Sequence, residues 1–153
     1  MMRFVASDLH TTVAERLRSV GQRYTPKRRA LVTLLERADK PLSMSDLLAG
    51  KTGLPQSSIY RNLAVLEQAG AVRRVITEDE FARFELTEAL TEHHHHLICS
   101  NCGKVEDVTI PADLESAMDH TIDRVARRAG FAHVSHRLDL IGTCRSCADA
   151  ATA

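Results

Sequence analysis

Four cysteines form two pairs with the same internal spacing. Two residues separate Cys99 from Cys102, and two separate Cys144 from Cys147. Two Cys-x-x-Cys pairs can supply the four thiolates of a tetrahedral zinc site, and Gly103, after the first pair, relieves crowding where backbone amides turn toward sulfur. We therefore predict a structural zinc site here. Free thiols and a dithiol redox switch are the alternatives.

The segment between the two pairs is long enough to fold. Its 41 residues exceed the spacer of a zinc ribbon and can hold a helix and a strand. A zinc ion bound to both pairs would then fasten the end of the chain to an earlier strand.

Four consecutive histidines, His93 to His96, lie inside the chain and lead directly into the first cysteine pair. Their internal position argues against an affinity tag. If the segment enters a strand, successive side chains alternate, so His94 and His96 face one way while His93 and His95 face the other. One segment could then feed two metal sites. The alternative is a solvated histidine loop.

Other potential ligands lie near this run. A site made of imidazole and carboxylate groups can bind any of several kinds of divalent metal ion. The candidates are Glu85, Glu88, Glu92, Glu106 and Asp107, with His136 on an expected strand further along the chain.

A small protein must position these residues. The chain has 153 residues, 44% hydrophobic and 26% charged, which favours one domain or two small ones with a buried core and excludes a disordered chain. No apolar run approaches the roughly 20 residues needed to cross a bilayer, and the N-terminus lacks the apolar stretch of a signal peptide. We therefore expect a cytoplasmic protein without membrane contact.

The net charge of zero conceals an asymmetry. Residues 1–90 carry 14 Lys and Arg against 11 Asp and Glu, whereas residues 91–153 carry 6 against 9. Seven of the eight histidines and all four cysteines lie in the second half. The two halves are therefore expected to have different functions. Because the net charge is zero, any nucleic-acid binding must depend on a local basic patch.

Apolar residues recur at helical spacing in the first half. The predicted helices are residues 8–20, a helix opened by Pro26 after the capping residue Thr25, a short helix from Ser43, and residues 56–69, closed by Gly70. Two strands, 72–76 and 81–86, follow with an acidic turn between them. Helices followed by a hairpin are the element order of a winged helix.

In a winged helix, residues 56–69 would be the recognition helix, and its polar first turns could address bases and phosphates in the major groove. Ser57 and Ser58 could instead be simple helix caps. Nearby basic side chains would face phosphates, although such a cluster can also be only a solvated face. The polar cluster is Gln56, Ser57, Ser58, Tyr60, Arg61 and Asn62, and the basic residues are Arg23, Lys27, Arg28, Arg29, Arg73 and Arg74.

The second half predicts three short strands, at 97–98, 105–110 and 133–141, and a helix from Pro111 to Ala129. An antiparallel sheet covered by one helix leaves an edge that a second copy could pair with. The whole chain is thus expected to be α+β.

These motifs together resemble the ferric-uptake-regulator (Fur) family, over about residues 15–147. The segments that carry the resemblance are Tyr24-Thr25-Pro26-x-Arg28, Ser58-Ile59-Tyr60-Arg61-Asn62-Leu63, Phe84-Glu85-Leu86, the string from His93 to Gly103, and Gly142-Thr143-Cys144-x-x-Cys147. The resemblance implies a homodimeric, metal-activated transcriptional repressor of a double-stranded DNA operator. It implies a winged-helix DNA-binding domain (1–88), a hinge (89–92) and a small α/β dimerisation and metal-binding domain (93–153).

The family's structural zinc site matches the four cysteines, and its hinge sensing site matches Glu85, His94 and His96. Some relatives add an acidic residue, here Asp107 or Glu106, and a histidine from the helical domain. This chain departs from that pattern because no histidine lies near Lys40 and Pro41. Glu88, Glu92 or water could take its place.

The family's third site matches His93, His95 and His136 with one acidic residue. Counting from either side gives Asp119 or Glu115, which lie one helical turn apart on the same face.

The sensed metal is expected to be iron or zinc, with iron favoured. Zinc-sensing members commonly place a cysteine in the hinge site, and none remains here outside the four. Nitrogen and carboxylate ligands suit iron(II) and manganese(II), yet zinc(II) and nickel(II) bind imidazole as well or better, so manganese and nickel stay open.

The ligand positions suggest how binding would act. An ion shared by Glu85, at the end of the wing, and by His94 and His96 would fix the angle between the domains, and so the separation of two recognition helices in a dimer. One alternative is a peroxide sensor of the same fold, in which iron oxidises a ligand histidine. A zinc-dependent enzyme or a metal buffer is the alternative from another class, although no His-Glu-x-x-His motif is present.

Overall fold

The computed structural model describes residues 6–77 and 81–151. Its first part contains α1 (Ala6–Ser19), α2 (Pro26–Glu36), β1 (Leu42–Ser43), α3 (Met44–Ala49), α4 (Gln56–Gln68), β2 (Val72–Ile76) and β3 (Ala82–Leu86). A 3₁₀ helix, Glu88–Leu90, leads to β4 (His95–Cys99), β5 (Val105–Val108), α5 (Ala112–Arg128), β6 (Asp139–Gly142) and α6 (Arg145–Ala151). The α+β class is confirmed, and most of the acidic turn between β2 and β3 lies outside the described residues.

Side-chain caps determine where two of the helices begin. The Thr25 hydroxyl accepts a hydrogen bond from the Arg28 amide at the start of α2, and Pro26 is the first residue of the helix. Ser43 and Asp46 form a reciprocal capping box at the start of α3. Both starts agree with the sequence because a hydroxyl satisfies amides that have no partner within the helix.

The first part packs around one hydrophobic core. Helices α1 to α4, strands β2 and β3, and the 3₁₀ helix all contribute to it. The buried residues are Leu9, Val13, Leu17, Leu31, Val32, Leu35, Leu42, Leu47, Ile59, Leu63, Leu66, Ala71, Val72, Phe84, Leu86 and Leu90. Leu90 thus ties the start of the expected hinge to the N-terminal core.

The hairpin and β1 complete the winged helix. The strand order is β1-β3-β2, with antiparallel pairing throughout, and Arg73 of β2 lies directly opposite Glu85 of β3. Strand β1 was not predicted because its two residues show no periodicity.

The second sheet has the order β5-β4-β6, with β4 and β5 antiparallel but β4 and β6 parallel. The expected all-antiparallel sheet is therefore wrong. Helix α5 connects β5 to β6. This long connection carries the chain past β4, so that β6 pairs with the other edge of β4 and runs in the same direction as β4.

Two further expectations for this part are wrong. Residues 133–138 form no strand, so His136 lies in the loop before β6. Helix α5 does not cover the sheet, because Ala126 is its only buried residue while Leu114 and Val125 stay 51% and 60% exposed. Helix α6 was not predicted. No helix within the described ranges is long and apolar enough to span a membrane.

Candidate metal centres

The described residues contain three groups of four potential metal ligands, and in each group one ligand atom per residue lies within 4.8 Å of the others. The cysteine group is Cys99, Cys102, Cys144 and Cys147. The hinge site is Glu85, His94, His96 and Asp107. The third site is His93, His95, Glu115 and His136.

The pairing of β4 with β6 brings the two cysteine pairs together. Cys99 ends β4 opposite Gly142, so Cys144 follows β6 at the same edge of the sheet. The Cys144 amide donates to Cys99 Sγ over 3.3 Å, and Cys102 Sγ lies 3.8 Å from Cys144 Sγ. Gly103 has a φ of +67°, a conformation that favours glycine at this tight turn.

All four cysteines are free thiols. Hydrogen bonds from backbone amides, that of Cys144 first, lower the pKa of Cys99 to about 6. Because the thiolate is the form that binds metal, these amides prepare Cys99 as a ligand. The group therefore fits a tetrahedral zinc ion.

The hinge site joins the two sheets. Glu85 comes from β3, His94 precedes β4, His96 lies in β4 and Asp107 in β5. Glu85 Oε2 lies 3.2 Å from His94 Nε2 and 3.1 Å from His96 Nε2. Asp107 approaches the same two nitrogens at 4.0 Å and 3.8 Å.

The other nitrogen of each hinge histidine is already engaged. His94 Nδ1 lies 2.9 Å from the carbonyl oxygen of Glu92, and His96 Nδ1 lies 3.1 Å from Asp139 Oδ1. With Nδ1 donating to these oxygens, Nε2 of each ring is left with the lone pair that a metal needs. Sequence reasoning missed Asp139, which could be found only by knowing that it pairs with His96 across β4 and β6.

The structure also distinguishes among the acidic candidates. Asp107 faces the hinge site, whereas Glu106 pairs with Lys104, because neighbouring residues of a strand point to opposite faces. Glu92 keeps its side chain exposed, and Glu88 contacts Arg73 and His93 instead. Neither of these two therefore replaces the histidine that this chain lacks.

The hinge ligands strongly perturb one another. Burial alone would raise the pKa of Glu85, but hydrogen bonds from His94 and His96 and the charges of His96 and Arg73 outweigh it and hold that pKa well below its usual range. The hydrogen bond to Glu85 raises the pKa of His94 to about 9. Burial opposes the same effect at His96, whose pKa is nevertheless raised by Glu85, Asp139 and Asp107. Burial raises the pKa of Asp107.

Glu115 lies at the centre of the third site. Its Oε1 is 2.9 Å from His93 Nε2 and 2.8 Å from His136 Nε2, and its Oε2 is 3.0 Å from His95 Nε2. Asp119 contacts the opposite nitrogen of His136, at 3.2 Å. The structure thus brings Glu115 into the ligand group and places Asp119 behind His136.

Buried atoms without hydrogen bonds test whether a metal ion fits this site. Among the described side chains, Glu115 Oε1 and His136 Nε2 are both buried, and although they lie 2.8 Å apart, neither makes a hydrogen bond of acceptable geometry. Such groups are costly unless they are satisfied, and both point toward the same cluster. A carboxylate oxygen and an imidazole nitrogen in this arrangement fit a divalent ion.

Six of the seven predicted DNA-contacting residues divide into two groups. Ser57, Tyr60, Arg61 and Lys27 are exposed. Arg28 and Asn62 are half-buried and bonded to each other, with Arg28 Nε donating to Asn62 Oδ1 over 3.3 Å.

Two expectations for this surface are wrong, and the alternative role of the two serines as helix caps is excluded. Ser58 is only 5% exposed and lies near the Asn62 amide, so its side chain is on the buried face of α4 and does not face a DNA groove. Neither Ser57 nor Ser58 caps the helix, whose cap position is Pro55 without a side-chain hydrogen bond. Arg73 does not face phosphates, because its half-buried guanidinium pairs with Glu85 and Glu88.

Metal binding at the hinge site is expected to release protons. At neutral pH a pKa of about 9 keeps His94 protonated and the raised pKa of His96 favours its protonated form, while Glu85 is ionised already. A bound ion must displace the proton of His94 and any proton that His96 carries, so its affinity should rise with pH by about 10-fold per unit for each proton released, until the pH exceeds the His94 pKa of about 9. Calorimetry in two buffers with different ionisation enthalpies measures this release, with His94→Ala as the control. An affinity independent of pH would contradict the assignment.

Cys99→Ser or Cys144→Ser is expected to abolish zinc retention and cooperative unfolding of the C-terminal part, because a zinc ion held by the four cysteines would fasten α6 to the end of β4. Elemental analysis and thermal unfolding followed by circular dichroism provide the measurements. Ser146→Ala, between the second pair, should keep both properties. A folded, zinc-free Cys99→Ser protein would show that the metal is not structural.

A sequence model of the Ferric uptake regulator family matches residues 19–141. The chain is 31% identical over 137 residues to the peroxide operon regulator of Bacillus subtilis, covering 87% of this chain and 89% of that one. The structure of the Helicobacter pylori ferric uptake regulator, which has three functional metal binding sites, aligns with a TM-score of 0.70 and 25% identity over 97% of both chains. The iron-containing structure of the Francisella tularensis ferric uptake regulator aligns with a TM-score of 0.61 and 26% identity, covering 84% and 96%.

The matched region includes both sheets up to Ile141 and all of the ligands of the hinge and third sites, and it ends before Cys144 and Cys147. The family model alone spans most of the chain, so the likeness does not depend on a single motif. The chain therefore belongs to the ferric uptake regulator family of metal-responsive transcriptional regulators.

Proposed function

We propose that the chain is a homodimeric repressor that binds operator DNA when its hinge site holds a divalent metal ion, with a structural zinc ion in the cysteine group. One observation carries this proposal. Glu85 belongs to the wing of the DNA-binding part, whereas His94, His96 and Asp107 belong to the C-terminal sheet, and all four converge on one point. A ligand bound there interacts with both parts at once.

Shared ligation supplies the coupling between metal and DNA. The Glu85 carboxylate is held on one side by Arg73 and on the other by His94 and His96, so a divalent ion would fasten the wing to the C-terminal sheet. Restricting the angle between the domains favours the dimer geometry that fits two half-sites. Coupling of about 1–3 kcal/mol is enough to change DNA affinity by roughly 5–150-fold.

The proposed domains are residues 1–88 and 93–153, with 89–92 as the hinge. The proposed dimer surface lies in the second domain, where β6 is an exposed edge strand. Leu97, Leu140 and Ile141 remain 42%, 40% and 61% exposed there, and α5 adds Leu114 and Val125. Such an apolar surface, beside a strand edge that no other described strand pairs with, suits a second copy of the same chain.

The proposed DNA surface combines α4 with the start of α2. Tyr60, 47% exposed, and Arg61 would approach bases, while Lys27 would contact phosphates. Arg28 and Asn62 form a hydrogen bond between the two helices, and the Asn62 amide donates to the Ser58 hydroxyl.

Iron or zinc is the metal proposed for the hinge site. Two imidazoles and two carboxylates form a nitrogen and oxygen ligand set without sulfur. The likeness to the iron-containing Francisella tularensis regulator supports iron. The third site is proposed as a further divalent-metal site held by His93, His95, Glu115 and His136, with Asp119 supporting His136.

His94→Ala and His96→Ala are expected to lower metal-dependent DNA affinity by at least about 10-fold while the dimer persists, because each removes one hinge ligand and leaves the cysteines intact. Fluorescence anisotropy measures this with DNA that the wild-type protein selects from a random pool in the presence of iron(II) or zinc(II). His120→Ala, an exposed histidine of α5, is the matched control.

Two outcomes would contradict the proposal. Wild-type protein that binds metal without gaining DNA affinity would point to the zinc enzyme or metal buffer instead. Hinge variants that retain full metal-dependent DNA binding would show that the response arises at another site.

Peroxide sensing is a second candidate, favoured by the likeness to the Bacillus subtilis peroxide operon regulator. The reaction would require iron(II) bound at the hinge, with peroxide as the oxidant of a ligand histidine. Mass spectrometry of the iron-loaded protein after peroxide treatment should then show one added oxygen on His94 or His96 and loss of DNA binding. Zinc-loaded protein is the control, and unmodified histidines in both samples would exclude this function.

A further inference from the structure

A continuous row of polar contacts joins the hinge site to the third site. Arg73 donates through Nε to Glu85 Oε1 and through Nη1 to Glu88 Oε1, the latter over 2.8 Å. Glu88 Oε2 lies 3.1 Å from His93 Nδ1, and His93 Nε2 lies 2.9 Å from Glu115. Arg73 and Glu88, the Arg73–Glu88 bridge, thus connect a ligand of one site to a ligand of the other.

The geometry of this bridge leaves its members little freedom. The Arg73 and Glu88 side chains are 19% and 26% exposed, and Arg73 is held opposite Glu85 by the pairing of β2 with β3. Glu85 and Glu88 each use one carboxylate oxygen for Arg73 and the other for histidine. Neither carboxylate can turn without losing a charge-assisted contact on its far side.

We propose that Arg73 and Glu88 are positioning residues that couple the two metal sites, so that filling the third site raises the affinity of the hinge site. This inference rests on the proposed function, because it takes both groups as metal sites.

The direction of the coupling follows from the chemistry of His93. When its Nε2 ligates a metal, the ring proton must reside on Nδ1, and the polarised Nδ1–H donates more strongly to Glu88. Glu88 then holds Arg73, and Arg73 holds Glu85 with Oε2 directed at His94 and His96. By linkage, filling the hinge site favours the third site by the same factor.

A double-mutant cycle with cobalt(II) as the probe tests the bridge. The zinc-containing full chain is titrated, and the hinge signal is the calorimetric and visible-absorption change that His94→Ala removes. His136→Ala removes a ligand of the third site and should weaken hinge binding by about 10-fold, within the usual range of allosteric coupling. In the Glu88→Gln background the same change should weaken it by less than about 2-fold, because the link is broken.

Two further variants separate coupling from general damage. Arg73→Lys keeps the charge but loses the planar guanidinium, whose separate Nε and Nη1 donors reach the two carboxylates, so it should reproduce the effect of Glu88→Gln. Glu92→Gln alters an exposed carboxylate of the same segment and should leave the 10-fold effect intact. Retained zinc in the cysteine group reports that each variant is folded.

Several results would overturn the inference. Equal weakening by His136→Ala with and without Glu88 would place the coupling elsewhere, and no weakening in the wild-type background would show that the sites are independent. If wild-type protein has no His94-dependent cobalt signal, the proposed function fails and this inference fails with it.

Discussion

Strand β4 is the constraint on which the ligand groups depend. Its backbone is paired on both sides, with β5 in antiparallel and β6 in parallel register, so its side chains cannot change face. His96 points toward the hinge site, His95 toward the third site, and Cys99 ends the strand at the cysteine group. A shift of one residue in register would exchange the two histidine faces and disrupt both sites. The same strand therefore positions two kinds of potential metal ligand, thiolate and imidazole, within five residues.

The two buried histidines of β4 are paired with carboxylates from other elements. Burying His95 and His96 at 2% and 1% exposure would be unfavourable without partners, and carboxylates from four other elements supply them. Glu85 comes from the wing, Glu115 from α5, Asp107 from β5 and Asp139 from β6. Because the C-terminal part has few buried apolar side chains, these polar contacts and the cysteine group carry much of its organisation. A protein built this way is suited to respond to metal ions, since ligands and structural contacts are the same groups.

Local sequence signals predicted much of the fold. Caps and helical periodicity located α2, α3 and α4, because a hydroxyl cap and an apolar stripe act over only a few residues. The same signals failed for β1, which is too short to show alternation, and for the loop at 133–138, which was expected to form the first part of a strand. The parallel direction of β6 could not be predicted, since strand direction depends on how the crossover through α5 returns to the sheet.

The sequence by itself determined the ligand inventory and its division: the spacing of the cysteines paired them, and alternation along a strand separated His93 and His95 from His94 and His96. The tertiary structure alone selected Asp107 over Glu106, placed Glu115 in the third site, and brought Asp139 against His96. It also withdrew Arg73 from the DNA surface into an ion pair with Glu85 and Glu88. The physical reason is that local pattern specifies which face a side chain occupies, whereas contacts between residues far apart in sequence depend on the register and direction of strands, which form only when the whole chain packs.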